Sequence, residues 1–253
     1  MAHDPVFLLG RREFLDLAMG GLALGAIAAS PRAAFAQADG GAPLKIATIG
    51  AGHEGGALGT LFAKQGHPVM FSSRNPDQLK DLVAGAGPTA RAGTVEQAVA
   101  FGDVVLLVVP YTAVEQIGKD YGEGLAAKPL VMDVSNPIAR RDGDEIVKWV
   151  DEQGGAGLAT AKLLPGAHIV RAFNAIGSGR LAPVANRTGE PVGVPIAGDD
   201  PKAVALAETL IKEIGFEPVL VGGLAMGKYL VPGTLLGGEH TPAEIRQIAA
   251  TLK

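Results

Sequence analysis

The chain has 253 residues, 47% hydrophobic and 19% charged, enough apolar material for one large domain or one domain with a smaller appendage. A formal net charge of −4 and 5% aromatic residues supply neither the basic field nor the stacking platform that nucleic acid requires. There is no cysteine, which excludes disulfides, thiol catalysis and cysteine-ligated zinc and fits an oxidising compartment.

The first 36 residues read as an address. Arg11 and Arg12 precede Phe14 and Leu15, a mild apolar stretch runs over 17–29, and Ala34 and Ala36 stand at small-residue positions before a cut. The order resembles the bacterial twin-arginine export signal, with Gly10 and Asp16 as departures from its pattern. The apolar run is too short and too rich in glycine and alanine for a stable membrane span, which needs about 20 apolar residues. Cleavage is expected after Ala36, and the mature protein is expected in the periplasm, exported folded with any cofactor already loaded.

From Leu44 short β-branched runs alternate with helical patterns. A strand is expected over 45–49, a helix over 55–65, a second strand over 68–71 and a helix over 76–84. The runs at 103–109, 129–134 and 168–173 are apolar without alternation, as in strands covered on both faces of a parallel sheet. Residues 192–198, 200–215 and 216–222 read as a further strand, helix and strand that extend the sheet. That helix has Asp199 and Asp200 before it, Pro201 in its first turn and Gly215 as its stop. The pattern is that of a doubly wound α/β domain over 44–222, with 223–253 as a small C-terminal cap over the cleft.

Gly50, Gly52 and Gly55 fit G-x-G-x-x-G after a strand and at the opening of a helix, the setting in which that motif holds a dinucleotide. Gly50 would permit the tight turn, Gly52 the approach of the pyrophosphate, and Gly55 close contact of helix and strand. Free N–H groups at the helix start would face the anion. About twenty residues on, an NAD site places a carboxylate against the ribose 2′-hydroxyl. Here that position holds Ser72, Ser73 and Arg74, two hydroxyls and a guanidinium suited to a 2′-phosphate, so NADP is favoured over NAD. The His53 ring is left open between phosphate and water. His67 reads as a turn residue, and neither His168 nor His240 has partners at metal-ligand spacing, so no metal site is expected.

With these residues in place, the chain resembles the NADP oxidoreductases dependent on coenzyme F-420, a deazaflavin. The matching pieces are IGAGHEGGALG, SSRNP, VVLLVVPYTAVEQI, MDVSNPI, VRAFNAIGSGRLA and VPIAGDDPKAVALAETLIKEIGFEPV, in family order. The resemblance implies a Rossmann-type fold in which Ala51–Glu54, Ser73 and Arg74 hold NADP, with Gln78 near the 2′-phosphate. It also implies that Pro110 passes the nicotinamide side and that Asn136 and Asn174 end later strands on the same carboxyl edge. Pro137 and Phe173 are left open between contact with the ligands and a plain turn or core role.

Such a site asks little of side chains: hydride passes directly to a stacked acceptor ring, and no catalytic nucleophile or acid–base pair is expected. The acceptor that the resemblance implies is a small molecule: coenzyme F-420, a flavin or another compound. The tail keeps Lys228–Pro232 but is glycine-rich beyond it, unlike the family's cap, which opens a second reading: a non-catalytic exported NADP-binding protein serving as sensor or partner subunit. A homodimer is left open.

Overall fold

The computed structural model describes residues 42–252, so the expected export signal over 1–36 lies outside the described residues. Eight strands form one sheet: β1 Ile46–Ile49, β2 Val69–Ser72, β3 Ala90–Gly93, β4 Val104–Leu107, β5 Val131–Asp133, β6 Ile169–Arg171, β7 Gly193–Gly198 and β8 Glu217–Gly222. Their order is β3-β2-β1-β4-β5-β6-β7-β8, a doubly wound, Rossmann-like arrangement. Neighbours are parallel except β6 and β7, which pair antiparallel, so β7 and β8 run against the other six. The expected extension of the sheet is present, with its direction reversed.

Strand alternation assigns the two faces. On β4, Val104 and Leu106 pack into one layer and Val105 and Leu107 into the other, all fully buried. The first layer is roofed by α1 (His53–Lys64), α2 (Lys80–Ala86), α8 (Ser178–Val184) and α9 (Pro201–Glu213). The second is roofed by α3 (Val95–Phe101), α4 (Val114–Ala126), α6 (Asp144–Glu152) and α7 (Ala156–Leu163). The one-turn α5 (Ala139–Asp142) follows β5. The helix expected over 76–84 is a 3-10 turn, Pro76–Leu79, running into α2.

The ends of α9 form as the sequence implies: the Asp200 carboxylate accepts from Lys202 and Ala203 N–H, Pro201 opens the helix, and Gly215 leaves it at φ +92°. The tail enters through a 3-10 turn, Leu224–Tyr229, whose first N–H donates to Asp199 Oδ1 at 3.0 Å. It closes with α10 (Pro242–Ala249), started by a Thr241/Glu244 capping box. Leu230, Leu236 and Ile245 of this tail pack with Ala197 and Val219 of β7 and β8. Pro232 is the tail residue that reaches the cleft described next.

Candidate functional site

In this sheet β1 lies between β2 and β4, so the chain moves to opposite sides at the β1–β4 junction, where open α/β sheets leave a crevice at their carboxyl ends. A cleft of about 480 Å³ opens there. Four loops line it: Gly52–Gly55 after β1, Val108–Pro110 after β4, Val134–Asn136 with Ile138 and Arg141 after β5, and Phe173–Gly177 after β6.

The glycine loop is shaped by close contacts. Gly50 sits at φ +96°, where any Cβ would run into the carbonyl of Val108. A Cβ on Gly55 would strike the carbonyl of Gly50, so glycine lets α1 start directly against β1. Gly52 differs: a Cβ there would meet nothing within 4 Å, which leaves open space over the loop. Gly52 is also the N-cap of α1 and gives no side-chain cap, so the first N–H groups of a 12-residue helix face that space without an intrahelical partner. A cradle of free N–H groups and empty volume fits a diphosphate.

Glu54 lies in this first turn. Burial pushes its carboxyl from the ordinary 4.5 up to about 7, against a smaller opposing pull from the Ser178 N–H, and its Oε1 is buried with no hydrogen-bond partner. The carboxyl therefore keeps its proton up to about pH 7, and below that it does not repel an anion beside it.

The end of β2 adjoins the loop, because Ile49 pairs with Ser72 and Ala51 N–H donates to Ser72 O at 3.1 Å. Here one expectation is corrected. Ser72 is fully buried and its Oγ donates to Thr48 O at 2.7 Å, so that hydroxyl ties β2 to β1 and cannot reach a nucleotide. Ala51 likewise spends its N–H inside the fold, and Gly50 shapes the loop without lining the cleft. Ser73 Oγ accepts from Asn75 N–H at 3.1 Å and retains its own proton for donation. Arg74 is exposed and has no hydrogen bond or ion pair among the described residues, and Gln78 is also exposed.

The other half of the cleft rests on a buried polar network absent from the sequence reading. Asp133 at the end of β5 and Arg171 at the end of β6 are both fully buried and joined at 2.6 Å. Thr160 Oγ1 donates to the same carboxylate at 2.8 Å, and Ser135 donates to it through both Oγ and, at 2.9 Å, N–H. Tyr111 Oη stands 3.1 Å from Thr160 Oγ1. Burial, then the Asp133 charge, pushes the phenol up, so it stays a neutral donor. Arg171 Nη2 donates to Asn136 Oδ1 at 3.1 Å, and Asn136 Nδ2 donates to Asn174 O at 2.7 Å. Asn174 Nδ2 in turn reaches Asp133 O at 3.1 Å, which leaves its buried Oδ1 without a partner at the cleft wall. The ion pair thus orients both asparagines.

Phe173 holds φ +60°, unusual for a residue with a side chain and costing about 1–3 kcal/mol. Its ring is in the core, edge-on to Phe216 at 5.3 Å, and the turn brings Asn174 into the cleft. Pro137 does not line the cleft. Of the expected site residues, Gly52, His53, Glu54, Gly55, Pro110, Asn136 and Asn174 meet in one cleft, with Ser73 and Arg74 on the adjoining loop and Gln78 in the 3-10 turn after it. Arg141 was missed for lack of a motif. Asp133 and Arg171 did leave a signal: opposite charges inside two apolar runs. Among the described residues no three His, Asp or Glu are grouped to hold a metal, and no helix is long and apolar enough to cross a membrane. His67 bonds Glu213 and Leu44, and His168 pairs with Asp200.

Residues 45–137 match the family model described as NADP oxidoreductase, coenzyme F-420-dependent. Glycerol-3-phosphate dehydrogenase [NAD(P)+] of Enterococcus faecalis is 26% identical over 121 residues, 43% of this chain. The chain spans only 36% of that enzyme's length. A hypothetical protein from Sinorhizobium meliloti superposes with a TM-score of 0.64 at 25% identity, over 78% of this chain and 95% of its own. A candidate F-420-dependent NADP-reductase from Arthrobacter sp. superposes with a TM-score of 0.61 at 20% identity, over 73% and 87%, a likeness of fold. The segment matched by the family model runs from β1 through β5.

Proposed function

We propose that this protein is an NADP(H)-dependent oxidoreductase that passes hydride between NADPH and an F-420 or flavin-type acceptor. The observation that carries the reading is the join of two features: an uncapped glycine cradle at α1, and a free Arg74 on the loop hydrogen-bonded to it through Ala51 and Ser72. Arg74 and the Ser73 hydroxyl supply charge and a donor for a 2′-phosphate, and no carboxylate stands at that strand end to grip an unphosphorylated ribose. NADPH, when bound, supplies the hydride from its nicotinamide ring, and the acceptor also takes a proton from solvent.

The chain's own part is positional. Gly52–Gly55 donate N–H groups toward the diphosphate, and Asn136 and Asn174, locked by Arg171, present a fixed polar wall at the β5–β6 end. Val108, Val109 and Pro110 give an apolar surface between the two, on which a flat ring can lie. Residues 1–36 are proposed as the twin-arginine signal that sends the folded protein to the periplasm. The placement of the tail on β7 and β8, with Pro232 alone among its described residues lining the cleft, favours keeping the second reading, an exported NADP-binding protein without turnover. Adding F-420, FMN or FAD to purified protein with NADPH separates the two. Acceptor-dependent loss of nicotinamide absorbance supports the enzyme, and tight NADP binding without turnover on any acceptor supports the sensor.

A further inference from the structure

Arg141 is a permanent cation in the cleft wall that none of the nucleotide assignments uses. Its guanidinium is held still. Nε donates to the Asp142 carboxylate at 3.1 and 3.2 Å, and Nη2 donates to Asp142 Oδ2 at 2.8 Å and to Asn136 O at 2.6 Å. Asp142 is itself anchored by the Ile138 N–H at 2.8 Å and its side chain is fully buried. Despite burial, the Arg141 bonds and the Ile138 N–H hold that carboxyl below its ordinary value, so the clamp stays charged. Nη1 is left with no partner among the described residues, on a side chain that is 41% exposed and lines the cleft. A guanidinium with Nε and Nη2 fixed and Nη1 open is preorganised to donate to an oxyanion.

It belongs to a different wall of the cleft from the diphosphate cradle. Arg141 follows β5 and the cradle follows β1, with β4 between, so the two strands that carry them stand two strand spacings, about 10 Å, apart in the sheet. The partner of Nη1 is then on the acceptor side. We infer that Arg141 recognises a carboxylate or phosphate group on the hydride acceptor, so that the compound reduced is an anion. This rests on the proposed nucleotide reading for the word acceptor, but the oxyanion site itself does not.

The test is calorimetric titration of the full chain, with and without saturating NADP+, using succinate, succinamide and inorganic phosphate as probes. At least one oxyanion is expected to bind the wild type, with succinamide roughly tenfold weaker or more than succinate where succinate binds. Binding of only one oxyanion names the group as carboxylate or as phosphate. Arg141→Lys keeps a charge beside Asp142 but loses the fixed Nη1 donor, and is expected to lose roughly tenfold in oxyanion affinity with NADP+ affinity unchanged, while Tm falls with the lost bonds to Asp142 and Asn136. Arg141→Gln serves if lysine disturbs the turn. Absence of oxyanion binding, equal affinity for succinate and succinamide, or unchanged affinity in the variants overturns the inference. So does a tenfold loss of NADP+ affinity in the variants, which assigns the guanidinium to the nucleotide. If the wild type binds no NADP+, the nucleotide reading falls while the nucleotide-free titration still decides Arg141.

Discussion

Glu54→Gln removes a charge from the phosphate cradle with almost no change of shape. In the fold burial holds the carboxyl proton up to about 7, whereas an unfolded chain releases it near 4.5. Between those values the native state binds more protons, so stability falls as pH rises. At about 1.4 kcal/mol per pKa unit the interval bounds the cost of the ionised form at ~3 kcal/mol. The side chain is partly in contact with solvent, so screening reduces this to about 1–2 kcal/mol. Glutamine carries no such cost. The variant should therefore melt with the wild type near pH 4, draw ahead through pH 4.5–7, and hold its lead above that. For a chain of this size each kcal/mol is worth about 2–4 °C. NADP+ affinity is expected to fall across neutral pH in the wild type and to stay flatter in the variant, because ionised Glu54 repels the diphosphate. Thermal melts and calorimetric titration between pH 4 and 8 measure both effects. A melting difference that is constant with pH, or absent, refutes the reasoning.

Gly52→Ala adds a methyl to space with no neighbour within 4 Å, so Tm should hold while NADP+ affinity falls by roughly tenfold or more; Gly55→Ala, aimed at the Gly50 carbonyl, should instead lower Tm. Arg171→Met strands the buried Asp133 carboxylate and should cost about 3–5 kcal/mol in denaturant unfolding, with the orientation of Asn136 lost as well. Burial opposes protonation of His67, but Glu213 Oε2 at 2.9 Å and Leu44 O outweigh it and raise its pKa. The stabilising contribution of His67 is therefore full below its ordinary 6.5 and lost as pH rises through the higher folded value. His67→Gln should remove that part of the pH dependence in melts at constant ionic strength.

The strands and the loop were legible because they are local. An apolar run without alternation states that both faces are covered, and Gly50, Gly52 and Gly55 state where the backbone must turn or touch. Burial on both faces is the same whichever way a strand runs, so the reversal at β7, antiparallel to β6, left no mark in the pattern. The edge strand β3, ARAG, has no β-branched residue and is largely open, so it carries no apolar signal. Ser72 was misread for a related reason: the face a serine takes at a strand end depends on the neighbouring strand, here the Thr48 carbonyl. The Thr94/Gln97 capping box of α3 was readable by its spacing and went unused. Arg141 needed the fold, since only three dimensions bring the turn after β5 to the same crevice as the loop after β1.

The central claim is that Arg74 selects the phosphorylated nucleotide, and titration of the full chain and of Arg74→Ala with NADP+ and NAD+ tests it most directly. The expected result is NADP+ bound at least roughly tenfold more tightly than NAD+ by the wild type, with Arg74→Ala losing roughly thirtyfold for NADP+ and little for NAD+. Equal affinity of the wild type for both nucleotides, or equal losses for both in the variant, would contradict it.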